Sequence, residues 1–120
     1  MLQFDEYKVK LNNLLPQLDE LEKALNLESA AREVDFLEAQ SASDGFWDNP
    51  ENSQRVLQKL KQLKNKLESQ EKRRASWEDM MVLCEMGNEE EDASIVEDVK
   101  EQLNEFIENF EKTKNFRIFF

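Results

Sequence analysis

The sequence has no histidine, one cysteine (Cys84), two glycines (Gly45 and Gly87) and two prolines (Pro16 and Pro50) in 120 residues. Each scarcity removes a class of chemistry. Without histidine there is no Ser-His-Asp triad, no His-ligated zinc and no Glu-x-x-His metal pair. A single cysteine excludes an internal disulfide, a cysteine-rich zinc site and an iron–sulfur cluster. Two isolated glycines cannot build a glycine-rich phosphate loop. No apolar run approaches the ~20 residues of a membrane span. The start, Met1-Leu2-Gln3-Phe4-Asp5-Glu6, lacks the basic and then apolar pattern of a secretory signal. These features predict a cytoplasmic protein with no membrane, cofactor or metal, and no enzyme.

Charge fills the space that the missing residues leave. Charged residues make up 36% of the chain and apolar residues 39%, a mix typical of long solvated helices. The net charge is −11, so the overall field repels nucleic acid. The charge is unevenly spread. Residues 55–74 hold eight bases and two acids, whereas residues 85–111 hold eleven acids and one base. Two helices lying antiparallel with opposite charge would explain this. The bases occupy several helix faces, however, and some must point away from any one partner. Arg55, Lys59, Lys61, Lys64, Lys66, Lys72, Arg73 and Arg74 are therefore the candidate contacts to a phosphate-rich partner such as ribosomal RNA.

Hydrophobic spacing predicts an all-α chain, an elongated antiparallel bundle or coiled coil of three to four helices. Tyr7, Leu11, Leu14, Leu18, Leu21 and Leu25 form a heptad seam, so residues 2–25 should be a helix, kinked or reset at Pro16. Asn26 is positioned to cap a second helix over 28–41, with Ala31, Val34, Leu37 and Phe36 as its apolar set. The cluster Ser41-Ala42-Ser43-Asp44-Gly45-Phe46-Trp47-Asp48 reads as a loop. Asn49-Pro50-Glu51 then has the form of a helix start: a side-chain cap, proline at the first position and a carboxylate near the positive end. Phe46 and Trp47 should fold back as a packing staple, with an exposed binding hot spot as the alternative. Val56, Leu60, Leu63, Leu67, Gln70, Arg74, Trp77, Met81 and Cys84 continue the seam through a spine helix over 51–86. The polar Gln70 and Arg74 should mark where that core thins or partner helices end. Arg73 and Arg74 could also stack on Trp77. Gly87-Asn88 fits a helix stop, and Glu89–Asp92 leads into a last helix over about 91–114 with Val96, Val99, Leu103, Phe106 and Phe110 inside. Ser94 and Glu97 have capping-box spacing.

Catalysis finds no support in this pattern. The acids sit at surface heptad positions, and a bundle offers no cleft to hold two carboxyls at a working separation. Met80, Met81 and Met86 read as core filler, and Cys84 as a small buried hydrophobe.

Phe46-Trp47-Asp48-Asn49-Pro50-Glu51, followed by Val56-Leu57-Gln58-Lys59-Leu60-Lys61-Gln62-Leu63-Lys64, resembles the amino-terminal domain of the bacterial peptide chain release factor 2 family. Phe36-Leu37-Glu38-Ala39-Gln40 and the acidic Glu89–Asp92 turn are similar too, and the resemblance covers about residues 1–114. The family's Phe-Trp-x-x-Pro-Glu element joins a short helix to a long one, which makes Phe46, Trp47, Pro50 and Glu51 a structural loop motif here. The resemblance implies a helical bundle that docks near the stalk base of the large ribosomal subunit, on the side of the release factor 3 GTPase. Complete members read stop codons with a Ser-Pro-Phe loop and trigger peptidyl-tRNA hydrolysis with a Gly-Gly-Gln loop. Neither tripeptide occurs in this sequence.

The resemblance thus implies a truncated termination factor, a first domain (1–114) followed by an apolar tail (115–120) in place of the next domain, and unable to terminate translation. The alternative is a free-standing coiled-coil adaptor that self-associates through its seams. Reading the coding DNA beyond codon 120 in all three frames separates them. Ser-Pro-Phe and Gly-Gly-Gln should be found there, and finding neither would favour the adaptor.

Overall fold

The computed structural model describes residues 1–119, with side chains described through Asn115. Among the described residues the chain is all-α. The helices are α1 (Leu2–Leu25), α2 (Leu27–Ser41), α3 (Pro50–Glu90) and α4 (Val96–Phe119), with 3-10 turns at Phe46–Asp48 and Ala93–Ile95. The residues group into two compact units, Met1–Leu21 with the chain from Lys72, and Glu22–Glu71.

In the first unit α1 buries Phe4, Tyr7, Leu11, Leu14, Leu18 and Leu21, the predicted seam extended one turn toward the N-terminus, while Leu25, its expected last member, is only half-buried. α3 buries Met80 and Cys84, and α4 buries Val99, Leu103, Phe106 and Phe110. Hydrogen bonds show α1 antiparallel to α3. Asn88 Nδ2 donates to Asp5 Oδ1 at 3.0 Å, Trp77 Nε1 to the Leu11 carbonyl at 2.7 Å, and Arg74 to Asp19 Oδ1 at 2.5 Å. α1 continues through Pro16 as one helix. Proline supplies no N–H to the carbonyl four residues back, that of Asn12. The indole N–H of Trp77 reaches the carbonyl next to it, and so ties α1 to α3 at the weakened turn.

Gly87 does not stop α3. It lies inside the helix because the ring of buried Phe4 occupies the place of a side chain there. A Cβ on Gly87 would sit 2.6 Å from both Cε2 and Cζ of Phe4. The helix ends three residues later, at Glu90, and is followed by a left-handed Glu91 (φ 50°). The Asp92 N–H bonds the Gly87 carbonyl at 3.0 Å and the Glu91 N–H bonds the Asn88 carbonyl at 3.4 Å, the paired closure of a Schellman motif. Asp92, rather than Ser94, then caps the following turn. Its Oδ1 accepts from the Ser94 N–H at 2.9 Å and from the Ser94 hydroxyl at 2.5 Å, and these two bonds hold its carboxyl below the ordinary range. α4 accordingly begins at Val96 and runs to Phe119, past the expected end near 114. The side chains of the tail, Phe116, Arg117, Ile118, Phe119 and Phe120, lie outside the described residues.

The second unit has a core of Ala30, Val34 and Leu37 from α2, Phe46 from the turn, and Val56, Leu60 and Leu63 from α3, with Leu67 packed against it. Asn26 does not cap α2 with its side chain. It takes a left-handed conformation (φ 53°) between α1 and α2, which asparagine tolerates better than most residues. Ala30 replaces the expected Ala31 in the core, and Phe36 points outward, 68% exposed.

Two seam expectations also change. Met80 is fully buried and Met81 only half-buried, because a 3.6-residue helix drifts from a strict heptad over its length. Gln70 and Arg74 flank the division between the two units, at Glu71 and Lys72, where a thinning core is expected, but both are bonded. Gln70 is buried and donates to Glu22 Oε1 at 2.9 Å, while Arg74 pairs with Asp19.

Two outcomes follow from this packing. Gly87→Ala should destabilise the protein by about 1–2 kcal/mol, since overpacking a filled core outweighs the gain in helix propensity. Urea unfolding should show a lower midpoint, with a smaller loss in a Phe4→Leu background. Burial also pushes the Cys84 thiol up from its ordinary value. An aromatic disulfide reagent should therefore label Cys84 slowly in the folded protein and rapidly in denaturant.

Candidate functional site: the basic face of α3 and the aromatic turn before it

The turn that starts α3 is built from short-range bonds. The Ser41 and Ser43 hydroxyls donate to the carbonyls of Glu38 and Gln40 at 2.8 and 2.6 Å, which closes the end of α2. Gly45 takes φ 79°, a conformation open to glycine at little strain, and lets the chain reverse into Phe46–Asp48. Phe46 enters the core. The buried Ser53 hydroxyl donates to the Phe46 carbonyl at 2.6 Å and fastens the turn to α3. Asn49 caps α3 as its sequence predicts, accepting the Asn52 N–H on Oδ1 at 3.2 Å, with Pro50 first in the helix and Glu51 in its first turn.

Only half of the expected staple forms. Phe46 is buried, but Trp47 is 67% exposed, the two rings in a T-shaped contact with centroids 5.1 Å apart. Ser53 is the anchor that sequence reading missed. Its signal was present, since 53, 56, 60 and 63 continue the seam one turn back.

The eight candidate bases do not form one patch. In the second unit Arg55, Lys59 and Lys66 recur at spacings of four and seven residues, so they share one flank of the buried stripe. Arg55 and Lys59 are exposed and Lys66 is half-buried, and the row spans about 17 Å. Lys61 and Lys64 occupy the other flank, beside Leu57 and Glu68, and Lys64 is bound to Glu38 Oε1 of α2 at 2.6 Å. In the first unit Lys72 is exposed. Arg73 donates to Thr113 Oγ1 at 3.2 Å and Arg74 is held by Asp19, so both arginines serve the fold. The charge pattern points to residues 85–111 as the partner of the basic stretch. The ion pairs of Lys64 and Arg74 run instead to α2 and α1.

Comparison with known proteins adds to this geometry. The chain is 32% identical over 111 residues to peptide chain release factor 2 of Corynebacterium aurimucosum, an alignment covering 90% of this chain and 30% of that protein. It is 38% identical over 82 residues to peptide chain release factor 2 of Acidothermus cellulolyticus, covering 68% and 22%. This chain is related to peptide chain release factor 2. Release factor 2 of Corynebacterium glutamicum (strain R) matches at 32% over 107 residues, 88% of this chain and 29% of that protein. The chain thus spans less than a third of the length of the release factor 2 sequences it matches. No family model matches it, and no solved structure matches it significantly. Among the described residues, no helix is long and apolar enough to cross a membrane.

The turn makes its own prediction. Ser53→Ala strands the buried Phe46 carbonyl and should destabilise the protein by about 1–3 kcal/mol. Trp47 emission should change with it, because the turn that holds the indole loosens.

Proposed function

We propose that this chain is the ribosome-binding amino-terminal module of a release factor 2, cytoplasmic and non-catalytic by itself. The observation that carries this reading is the match to release factor 2 sequences over 90% of the chain but 30% of the relative. A match of that form fits one domain of a larger termination factor. The resemblance assigns codon reading to Ser-Pro-Phe and hydrolysis to Gly-Gly-Gln, and both are missing from these 120 residues. What remains is docking, at the stalk base of the large subunit and, in an intact factor, toward the release factor 3 GTPase.

Physical chemistry supports the docking role on α3. Of the proposed ribosome contacts, Lys64, Arg73 and Arg74 are engaged within the fold. The Arg55, Lys59 and Lys66 row, with Lys61 on the other flank, presents the charge to phosphate. A row of this kind neutralises phosphates, releases counterions and weakens steeply with salt.

The chain should compete with intact release factor 2 for ribosomes at low salt and lose that ability as salt rises. Arg55→Ala, Lys59→Ala and Lys66→Ala should each flatten the salt slope by roughly one unit. Failure to compete at any salt overturns the reading. A mass that rises with concentration, without ribosome affinity, would support the self-associating adaptor instead.

A further inference from the structure

An exposed tryptophan on a mobile loop would carry little information, but Trp47 is held in place. Phe46 beside it is anchored in the core, its carbonyl is clamped by the Ser53 hydroxyl at 2.6 Å, and the two rings meet in a T-shaped contact at 77°. Trp47 nevertheless leaves 67% of its surface to water. A rigid, exposed, amphipathic ring loses little conformational entropy on binding, which is the property of an interface anchor.

The surroundings select the partner's chemistry. Residues 44–51 are exposed around Phe46 and carry three acids, Asp44, Asp48 and Glu51, and no base. The Asp48 carboxylate folds back over Gly45, with Oδ2 3.2 Å from where a Cβ on that glycine would lie. Three carboxylates outweigh the roughly half positive charge at the start of α3. A phosphate backbone would be repelled by these carboxylates.

A guanidinium or ammonium group fits both features, the face of the indole and the carboxylates beside it. We propose that the Trp47 turn docks a cationic segment of a partner protein, with an arginine or lysine side chain lying on the indole and its charge met by Asp44, Asp48 and Glu51. Its acids end at Glu51, one turn before Arg55 opens the basic row of α3, and the proposal does not depend on ribosome binding.

The test uses the whole 120-residue chain and a short Arg-Gly repeat peptide as probe. The indole N–H resonances of Trp47 and Trp77 are followed by NMR and assigned by the loss of one signal in Trp47→Phe. The peptide should shift the Trp47 signal saturably. It should leave Trp77 unmoved, since that N–H is already bonded to Leu11. The variants, of which those at Trp47 lack its signal, are compared by titration calorimetry with the same peptide, and Trp47→Ala should weaken binding roughly tenfold, the size of a lost desolvated cation–π contact. Asp44→Asn and Asp48→Asn should each weaken it by a few-fold, about the scale of an exposed ion pair. Phe36→Ala removes the other large exposed aromatic of the unit and should change nothing. Trp47→Phe keeps a weaker π face and should retain intermediate affinity, so the proposal stays testable if Trp47→Ala unfolds. The proposal is overturned if the peptide perturbs only the acidic face of α4. It is equally overturned if single-stranded oligouridylate, and not the peptide, moves the Trp47 signal, or if Trp47→Ala binds as well as the parent.

Discussion

The fold depends on one requirement, that a 41-residue helix bury a single narrow stripe along its length. Such a helix is mostly polar, and its stability comes from packing that stripe rather than from propensity. Ser53, Val56, Leu60, Leu63, Gln70, Met80 and Cys84 of α3 are all buried. Residues at those positions demand neighbouring helices of matching length. α1 and α4 meet the demand in one unit and α2 in the other, each with its own stripe.

Polar groups along the stripe fix which residues meet. Gln70 finds Glu22, Arg74 finds Asp19, and the Trp77 indole finds the Leu11 carbonyl. A slide of one helix by a turn would leave the buried Gln70 amide and the Trp77 N–H against apolar neighbours. These bonds select the register, because leucine stripes accept many registers and hydrogen bonds accept few. Gly87 acts in the same direction by sterics, since a single side chain, Phe4, fills the space at that point.

With the interior committed to packing, recognition falls to the surface. The chain separates its charges there, with a basic row on α3, an acidic last helix, and a small acidic turn around Trp47. The structure also commits some of the bases to the fold. Lysines and arginines that look equivalent in a list differ once Lys64, Arg73 and Arg74 are bound to Glu38, Thr113 and Asp19.

The sequence by itself determined the helices, most of the buried stripe, the Asn49 cap and the kinship with release factor 2. Each rests on local spacing, on a side chain bonding its own backbone, or on a motif read in order. Tertiary structure alone decided the rest. Gly87 is read as a stop because glycine usually ends helices, and only the ring of Phe4, 83 positions away in sequence, explains it inside one. Asn26 does not make its expected cap, and Asp92 makes the one expected of Ser94, because capping depends on backbone angles that composition does not contain. Phe46 and Trp47 are neighbours with similar hydrophobicity, yet one is core and the other surface. The direction of a turn, set by Gly45 and clamped by Ser53, chose between them.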